Sequence, residues 1–222
     1  MRKYFRFVLY LVAAIGFSTA FAGAYEDFFT AIKRDEPRVV QDLLRRGFDP
    51  NTPNPEGLHG LYLALREPAL KVAEVLIDWP KTHLEARTPE DESPLMMAAL
   101  KGHTALARKL IDKGADVNKP GWAPLHYAAT GGHLEIMNLL LEHHAFIDAE
   151  SPNGTTPLMM AAHYGTPAAV KLLLEAGADT AMKNQLGLSA VDFAQRGNRK
   201  DAADLITAHM ARMPAKPKPP AW

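Results

Sequence analysis

The chain has 222 residues, of which 25 are basic and 25 acidic, so its formal net charge at pH 7 is zero. It contains no cysteine, which excludes disulfides, thiolate metal ligands and a cysteine nucleophile. The balanced charge argues against a nucleic-acid-binding protein, because such domains carry a basic surface. Because the chain cannot form disulfides, the stability of its fold must come from a packed apolar core, for which this length is ample.

The first 24 residues have the layout of a secretory signal peptide. Arg2, Lys3 and Arg6 precede an apolar run over 7–22, and small residues follow where a signal peptidase would cut, after about residue 22 or 24. An uncleaved membrane anchor is the alternative, although the run is shorter than the roughly 20 residues that a spanning helix needs. We expect export, with a mature chain that is not inserted in the membrane.

One pattern then recurs along the chain. Segments 93–99, 123–129 and 156–162 read SPLMMAA, APLHYAA and TPLMMAA, and their prolines are separated by 30 and 33 residues. Weaker copies anchored at Asp27, Gly60 and Ala190 lie 33 or 34 residues from their neighbours, and turn signals such as Gly-Ala-Asp recur at fixed offsets. A period of about 33 residues predicts an array of about six repeats.

Each position of the pattern has a physical reason. Ser or Thr before Pro caps a first helix, and Pro suits its first turn because the missing N–H would have no partner there. Leucines at helical spacing predict a second, amphipathic helix. Gly47, Gly114 and Gly177 are expected to end that helix in the left-handed conformation, and His144 replaces this glycine in the fourth repeat at a cost of about 1 kcal/mol.

Residues 25–212 resemble the ankyrin-repeat family, most specifically at the three segments just quoted. The resemblance implies an all-α ankyrin-repeat solenoid of about six helix-turn-helix repeats with short β-hairpin-like fingers. The first and last repeats would act as caps. The proline- and lysine-rich tail over 213–222 is expected to be disordered.

The resemblance also implies a binding surface, which is the concave face formed by the finger tips and the exposed side of the first helices. Its positions follow from the register of the repeats. The candidate partner-binding residues are Glu90, Glu92, Leu100, Lys101, Trp122, Thr155, His163, Tyr164, Leu188 and Arg196.

Trp122 is the most specific of these candidates. The interval of 30 residues before Pro124 implies that this finger has lost three residues, which leaves only five between Asn118 and Pro124. Two interpretations stay open at this stage. The indole is an exposed binding hot spot, since aromatic side chains dominate such sites, or it folds over the gap and seals the stack.

The sequence offers no constellation for catalysis, a metal or a cofactor. His126 occupies the family's histidine position, where the side chain bonds finger backbone, and Ser93 and Ser189 occupy cap positions rather than catalytic ones. In each of the pairs Met96-Met97 and Met159-Met160, one member is interpreted as packing on the inner face of the helix. We therefore expect no enzyme and no cofactor.

The leading hypothesis is a non-enzymatic adaptor or inhibitor, monomeric, that is periplasmic or secreted and binds a protein through its concave face. No nucleic acid and no small-molecule substrate is expected. The alternative is a structural protein that bridges envelope components, or a toxin-immunity or stress-protection protein. The signal layout together with the repeats suggests a Gram-negative bacterium, although a eukaryotic secretory route fits the same layout.

Overall fold

A computed structural model describes residues 23–212. Residues 1–22 of the predicted signal segment and the predicted disordered tail over 213–222 lie outside these residues, and both assignments stay predictions. The chain divides between Asp91 and Glu92 into two compact units, unit 1 and unit 2, which are described separately. Within the described residues the regular secondary structure is α-helix, apart from an isolated β-bridge between Pro53 and His59, and turns connect the helices.

Unit 1 contains two helix pairs. They are α1 (23–33), α2 (Pro37–Arg45), α3 (Gly60–Arg66) and α4 (Leu70–Asp78). Phe28 of α1 is fully buried, and its ring lies 4.7 Å from that of Phe48. A Cβ added to Gly60 would lie 2.7 Å from the Phe28 ring, which explains why α3 begins with glycine. The anchor expected at Asp27 lies inside α1 rather than at its start.

Unit 2 contains four further helix pairs. They are α5 (Pro94–Lys101), α6 (Thr104–Asp112), α7 (Pro124–Gly131), α8 (Leu134–Glu142), α9 (Pro157–His163), α10 (Pro167–Glu175), α11 (Ala190–Arg196) and α12 (Lys200–Arg212). The first helices of successive pairs pack on one another, α5 on α7, α7 on α9 and α9 on α11. The second helices form a parallel series from α6 to α12. Each pair adds one layer.

The predicted helix starts are confirmed at the other five anchors. Helices begin at Gly60, Pro94, Pro124, Pro157 and Ala190. The hydroxyl of Ser93 accepts the Met96 N–H at 3.2 Å, and Thr156 and Ser189 cap their helices in the same way. The helix-turn-helix repeat predicted from the sequence is therefore confirmed.

The fingers between the pairs are tight turns rather than paired strands. Backbone bonds close three of them, from Asn54 N to Leu58 O at 2.8 Å, from Ser151 N to Thr155 O at 3.0 Å, and from Asn184 N to Leu188 O at 3.0 Å. In each turn the side chain of the first residue, Asn54, Ser151 or Asn184, also accepts the backbone N–H of the last residue. The hairpin-like shape expected for the fingers is thus held by short local bonds.

The left-handed helix ends are also confirmed. Gly47, Gly114 and Gly177 have φ of +94°, +90° and +95°. His144, which takes the equivalent position after α8, has φ of +63°. Its side chain is exposed, so the strain of this backbone has no visible compensation from burial.

We expect His144→Gly to raise the free energy of unfolding by roughly 0.5–1 kcal/mol. Left-handed strain costs a non-glycine residue roughly 1–2 kcal/mol, which exceeds the roughly 0.5–1 kcal/mol that glycine loses in entropy on folding. Urea denaturation measures the change. The control is His143→Gly at the preceding residue, whose φ is −93°. That variant is expected to be destabilised, and stabilisation of both variants would contradict the explanation.

Candidate partner-binding groove

The finger before α7 is shortened, as the spacing predicts. The side chain of Asn118 donates to the His144 carbonyl and accepts the Phe146 N–H, both at 2.8 Å. Asn51 makes the corresponding pair of bonds in unit 1. Asn51 lies nine residues before the start of α3, whereas Asn118 lies only six residues before the start of α7. The three missing residues therefore come from the finger tip, between Asn118 and α7.

Trp122 ends this shortened finger, two residues before α7. Its indole is half-buried and stands edge-on to His126, at 5.2 Å between ring centroids, and to Tyr127, at 6.5 Å. Neither open interpretation is complete. The ring rests on the first turn of its own helix, yet it also lines a cavity that is open to solvent.

This cavity, which we call the Trp122 groove, has a volume of about 250 Å³. Its lining residues are Leu100, Trp122, His126, Tyr127, Thr130 and Met160. They come from α5, α7, α9 and the shortened finger, so three successive repeats of unit 2 contribute to one site. Because these first helices pack directly on one another, the groove has rigid walls.

The polar groups of the groove are mostly engaged. The Tyr127 hydroxyl donates to a Glu92 carboxylate oxygen at 2.8 Å, which places that carboxylate at the rim. The Thr130 hydroxyl donates to the His126 carbonyl at 2.8 Å. The indole N–H of Trp122 has no hydrogen-bond partner among residues 23–212. The groove therefore offers an apolar, aromatic surface with one available donor and an acidic rim.

His126 forms the floor of the groove and is completely buried. Its Nδ1 accepts the Ala123 N–H at 3.1 Å, so the proton is on Nε2, which donates to the Thr155 carbonyl at 2.9 Å. Burial lowers the pKa of His126 from 6.5, and the bond to Thr155 opposes this shift. The bond to finger backbone that the family resemblance implies is present, and the imidazole is neutral near pH 7.

Two other candidate residues form a separate aromatic cluster. The rings of His163 and Tyr164 lie 4.1 Å apart, and His163 also lies 6.2 Å from Phe193. The Nδ1 of His163 is 2.9 Å from the Phe193 carbonyl. Tyr164 is 59% exposed and is accessible to a partner. This cluster lies at the C-terminal end of α9, outside the lining of the Trp122 groove.

The prediction that Thr155 contacts a partner is wrong. Its exposed fraction is 2%, the hydroxyl of Ser151 accepts its N–H at 2.9 Å, and its carbonyl accepts the bond from His126. Leu188 is half-buried in the next finger, and the exposed apolar side chain there is Leu186, at 74%. Tight finger turns bury the residue next to the helix and expose the tip.

The remaining candidates are accessible to different degrees. Glu90 is exposed in unit 1, while in unit 2 Lys101 and Arg196 are exposed at the last positions of α5 and α11. Glu92 is half-buried against Tyr127. Whether these residues bind a partner stays a prediction.

The register assigned from the sequence missed one position, three residues after each anchor. Tyr127 and Met160 occupy it in the groove, and Phe193 occupies it beside His163. On a helix, residues three apart share a face, so this position lies beside the predicted one six residues after the anchor. Helical periodicity would have identified it. Met160, interpreted as one of a packing pair, is half-buried and lines the groove.

Unit 1 carries a larger and more polar cavity of its own, of about 410 Å³. Tyr25, Phe29 and Leu63 line it together with Arg66 and Glu67, which form an ion pair at 3.0 Å. Leu63 and Arg66 stand at the same repeat positions as the groove residues of unit 2. Here a charged pair replaces the aromatic wall.

The described residues contain no cluster of three or more His, Asp or Glu side chains arranged to hold a metal ion. The hydroxyls of Ser93 and Ser189 are engaged as helix caps, and Ser189 donates to Asp192 at 2.6 Å, a bond that lowers the pKa of that carboxyl. Between residues 23 and 212, no helix is both long and apolar enough to cross a membrane.

Comparison with known proteins identifies the repeat. The family model for ankyrin repeats (three copies) matches residues 28–120, 69–151, 118–184 and 147–216. The chain belongs to the ankyrin-repeat family. The all-α ankyrin-repeat fold predicted from the sequence is confirmed, and ankyrin repeats indicate a protein–protein interaction module.

Relatives and neighbouring structures share this repeat. The chain is 36% identical over 127 residues to the ankyrin repeat and SAM domain-containing protein 6 of Mus musculus, which covers 55% of the chain but 14% of that protein. The human ASB11 ankyrin repeat domain matches with a TM-score of 0.73 and 26% identity, over 82% of both chains.

A bacterial structure is also similar. It is a chain of the complex between the predatory endopeptidase Bd0816 from Bdellovibrio bacteriovorus and the immunity protein Bd3460. The TM-score is 0.71 and the identity 25%, over 82% of this chain and 97% of that chain.

Proposed function

We propose that this chain is a non-enzymatic adaptor or inhibitor that binds a protein partner through the Trp122 groove. The observation that carries the proposal is the groove itself, in which Trp122 and Tyr127 stand beside Leu100 and Met160 around a cavity of about 250 Å³. Aromatic anchors held by a rigid scaffold dominate the energetics of protein interfaces. The groove is also where this chain departs from its own repeat spacing.

Inhibition of an endopeptidase is the more specific candidate. It is supported by the likeness to a chain of the endopeptidase–immunity protein complex, because this chain covers 97% of that chain. A partner held in this way would be inactivated by occlusion, which requires no catalytic or metal site in this chain. The envelope-bridging role has no comparable support.

The site of action that we propose is the periplasm. The support is the sequence of residues 1–24, where three basic residues, an apolar run and small residues follow one another. Cell fractionation of the native host, with mass spectrometry of the mature N-terminus, tests this proposal. A mature chain beginning near residue 23 or 25 in the periplasmic fraction is expected, and an intact Met1 in the cytoplasm would refute it.

We expect Trp122→Ala to weaken partner binding by about 30-fold. Truncation of an aromatic hot spot costs about 2 kcal/mol or more, which is about 30-fold in Kd. The partner is first captured by cross-linking from periplasmic extract with the full chain as bait, and its Kd is then measured with purified proteins by calorimetry. If the partner is an endopeptidase, its activity is measured as well, and inhibition is expected to weaken in parallel.

Two variants serve as controls. Trp79→Ala changes the half-buried tryptophan of unit 1 and is expected to leave the Kd unchanged. Tyr164→Ala removes the exposed ring of the separate aromatic cluster. If only Tyr164→Ala weakened binding, the partner-binding site would be assigned to that aromatic cluster. Unchanged binding by a folded Trp122→Ala variant would refute the Trp122 groove as the binding site.

A further inference from the structure

The size and the walls of the Trp122 groove suit one aromatic side chain. An apolar cavity of roughly 150 Å³ is large enough to bind benzene, so the groove, at about 250 Å³, has room for a benzene ring and its methylene group. Trp122 and Tyr127 supply aromatic walls, against which another ring packs edge-on or offset. The sulfur of Met160 also makes favourable contacts with ring edges. An aliphatic side chain would gain neither of these interactions.

The lining of the groove disfavours a charged occupant. None of the six lining residues carries a charge near pH 7, because the buried imidazole of His126 is neutral there. The hydroxyl of Thr130 donates to the His126 carbonyl, and the hydroxyl of Tyr127 donates to Glu92, so both hydroxyls are engaged within the chain. A charged side chain entering the groove would lose its hydration without meeting an opposite charge among the lining residues.

One hydrogen-bond donor of the groove is available to an occupant. The indole N–H of Trp122 has no partner among residues 23–212, whereas both ring nitrogens of His126 are bonded to backbone. A carbonyl oxygen is the complement of this donor. Carbonyls inside a helix are already bonded within their own chain, while those of surface loops remain accessible. The donor therefore favours an aromatic residue that is presented by a loop.

We propose that the Trp122 groove takes one uncharged aromatic side chain, of the size of phenylalanine, from a loop of the protein partner, and that a carbonyl of this loop accepts the indole N–H. The proposal rests on the groove being the partner-binding surface of the proposed function, and it adds the type of residue that the partner inserts. A single large side chain in a rigid, desolvated pocket is the usual form of an interface anchor.

The probe that tests the occupant is N-acetyl-phenylalanine methylamide, which carries the ring and two carbonyls without charge. It is titrated into the full mature chain, whose three tryptophan indoles are enriched in ¹⁵N. We expect a saturable shift of the Trp122 indole proton, assigned by its loss in Trp122→Phe, and slower exchange of that proton with solvent. The signals of Trp79 and Trp222 should not move. A shift without slower exchange would overturn the hydrogen bond, and no shift would overturn the site.

Two further probes test the chemistry of the side chain. N-acetyl-leucine methylamide is expected to bind at least about threefold more weakly, because it lacks the aromatic contacts. N-acetyl-lysine methylamide is expected to bind at least about tenfold more weakly, because its ammonium would be desolvated. Equal affinity for the phenylalanine and leucine probes would overturn the aromatic preference, and equal affinity for the lysine probe would overturn the exclusion of charge.

Two variants locate the binding of the phenylalanine probe. Leu100→Phe adds a ring to the lining and is expected to weaken the binding, read at the Trp122 signal, at least about tenfold. Arg66→Phe makes the matched change at the same repeat position of unit 1 and should leave it unchanged. Equal effects of the two variants would overturn the site. The partner affinity of Trp122→Ala is measured separately: if it falls although no probe binds, the aromatic anchor is overturned and the proposed function stands.

Discussion

Gly165→Ala is expected to lower the free energy of unfolding by about 3 kcal/mol, at the upper end of the usual range for overpacking. A Cβ at this position would lie 2.4 Å from the Ala129 carbonyl oxygen and 2.9 Å from both the Cα and the carbonyl oxygen of Ala161. All three are backbone atoms, so no rotamer change can relieve the contact. Helices α7 and α9 would have to separate.

The same substitution is expected to disturb the Trp122 groove, because Tyr127 lies on α7 and Met160 on α9. Urea denaturation gives the stability, and partner affinity under native conditions gives the effect on the site. Gly177→Ala is the matched control, since its added Cβ meets no atom within 4 Å but its φ is +95°. It should cost only about 1 kcal/mol through backbone conformation. Equal losses in the two variants would contradict the steric explanation.

The fold could be predicted from the sequence because ankyrin repeats are specified locally. Each Pro or Ala anchor sets a helix start through its cap, and each glycine three residues after a hydrophobic pair sets a helix end. The helix starts at the weaker anchors could not be explained by local signals alone. The residue that begins α3 is glycine because a Cβ at position 60 would clash with the Phe28 ring, and this contact between sequence positions 32 apart has no local signal. At Asp27 no cap marks a helix start and α1 begins earlier, although the register is right, because Gly47 ends α2 at the same offset from its anchor as Gly114 and Gly177 do from theirs.

The site was predicted only in part. Spacing alone identified the shortened finger and Trp122, because an insertion or deletion in a repeat changes the count of residues. The burial of a residue within a finger depends on the geometry of the turn. The hydroxyl of Ser151 accepts the Thr155 N–H, and Thr155 is buried in the closed turn. The grouping of Leu100, Trp122 and Met160 from three repeats follows from the packing of neighbouring helices. No single repeat contains that information.

His126 is expected to be the most sensitive side chain of the groove. His126→Ala should lower the free energy of unfolding by about 4 kcal/mol, because it leaves the Ala123 N–H and the Thr155 carbonyl unpaired and opens a cavity. Both residues are 2% exposed, so water cannot replace the lost partners without disruption. Each unpaired buried group costs about 1–3 kcal/mol. Urea denaturation of the two proteins at pH 7.5 measures the loss.

Two neighbouring repeats provide a matched variant. Met96 and Met159 stand where His126 does, and their sulfur atoms accept the N–H groups of Ser93 at 3.3 Å and Thr156 at 3.4 Å. His126→Met should therefore keep the bond to Ala123 and lose only the bond to Thr155, at a cost of about 1–2 kcal/mol. If Met and Ala variants are equally unstable, the sulfur does not replace Nδ1 and this account of the position is refuted.

The same variants have a pH signature with a definite sign. Burial lowers the pKa of His126 in the folded state below 6.5, so the unfolded chain binds the proton more readily as the pH falls through 6.5. Wild type is expected to lose stability below about pH 6.5 and to keep its full stability above it. Both His126 variants should lack this component, while any contribution from His59, whose pKa burial also lowers, remains in all three proteins. An unchanged slope between wild type and His126→Met would show that the imidazole is not the titrating group.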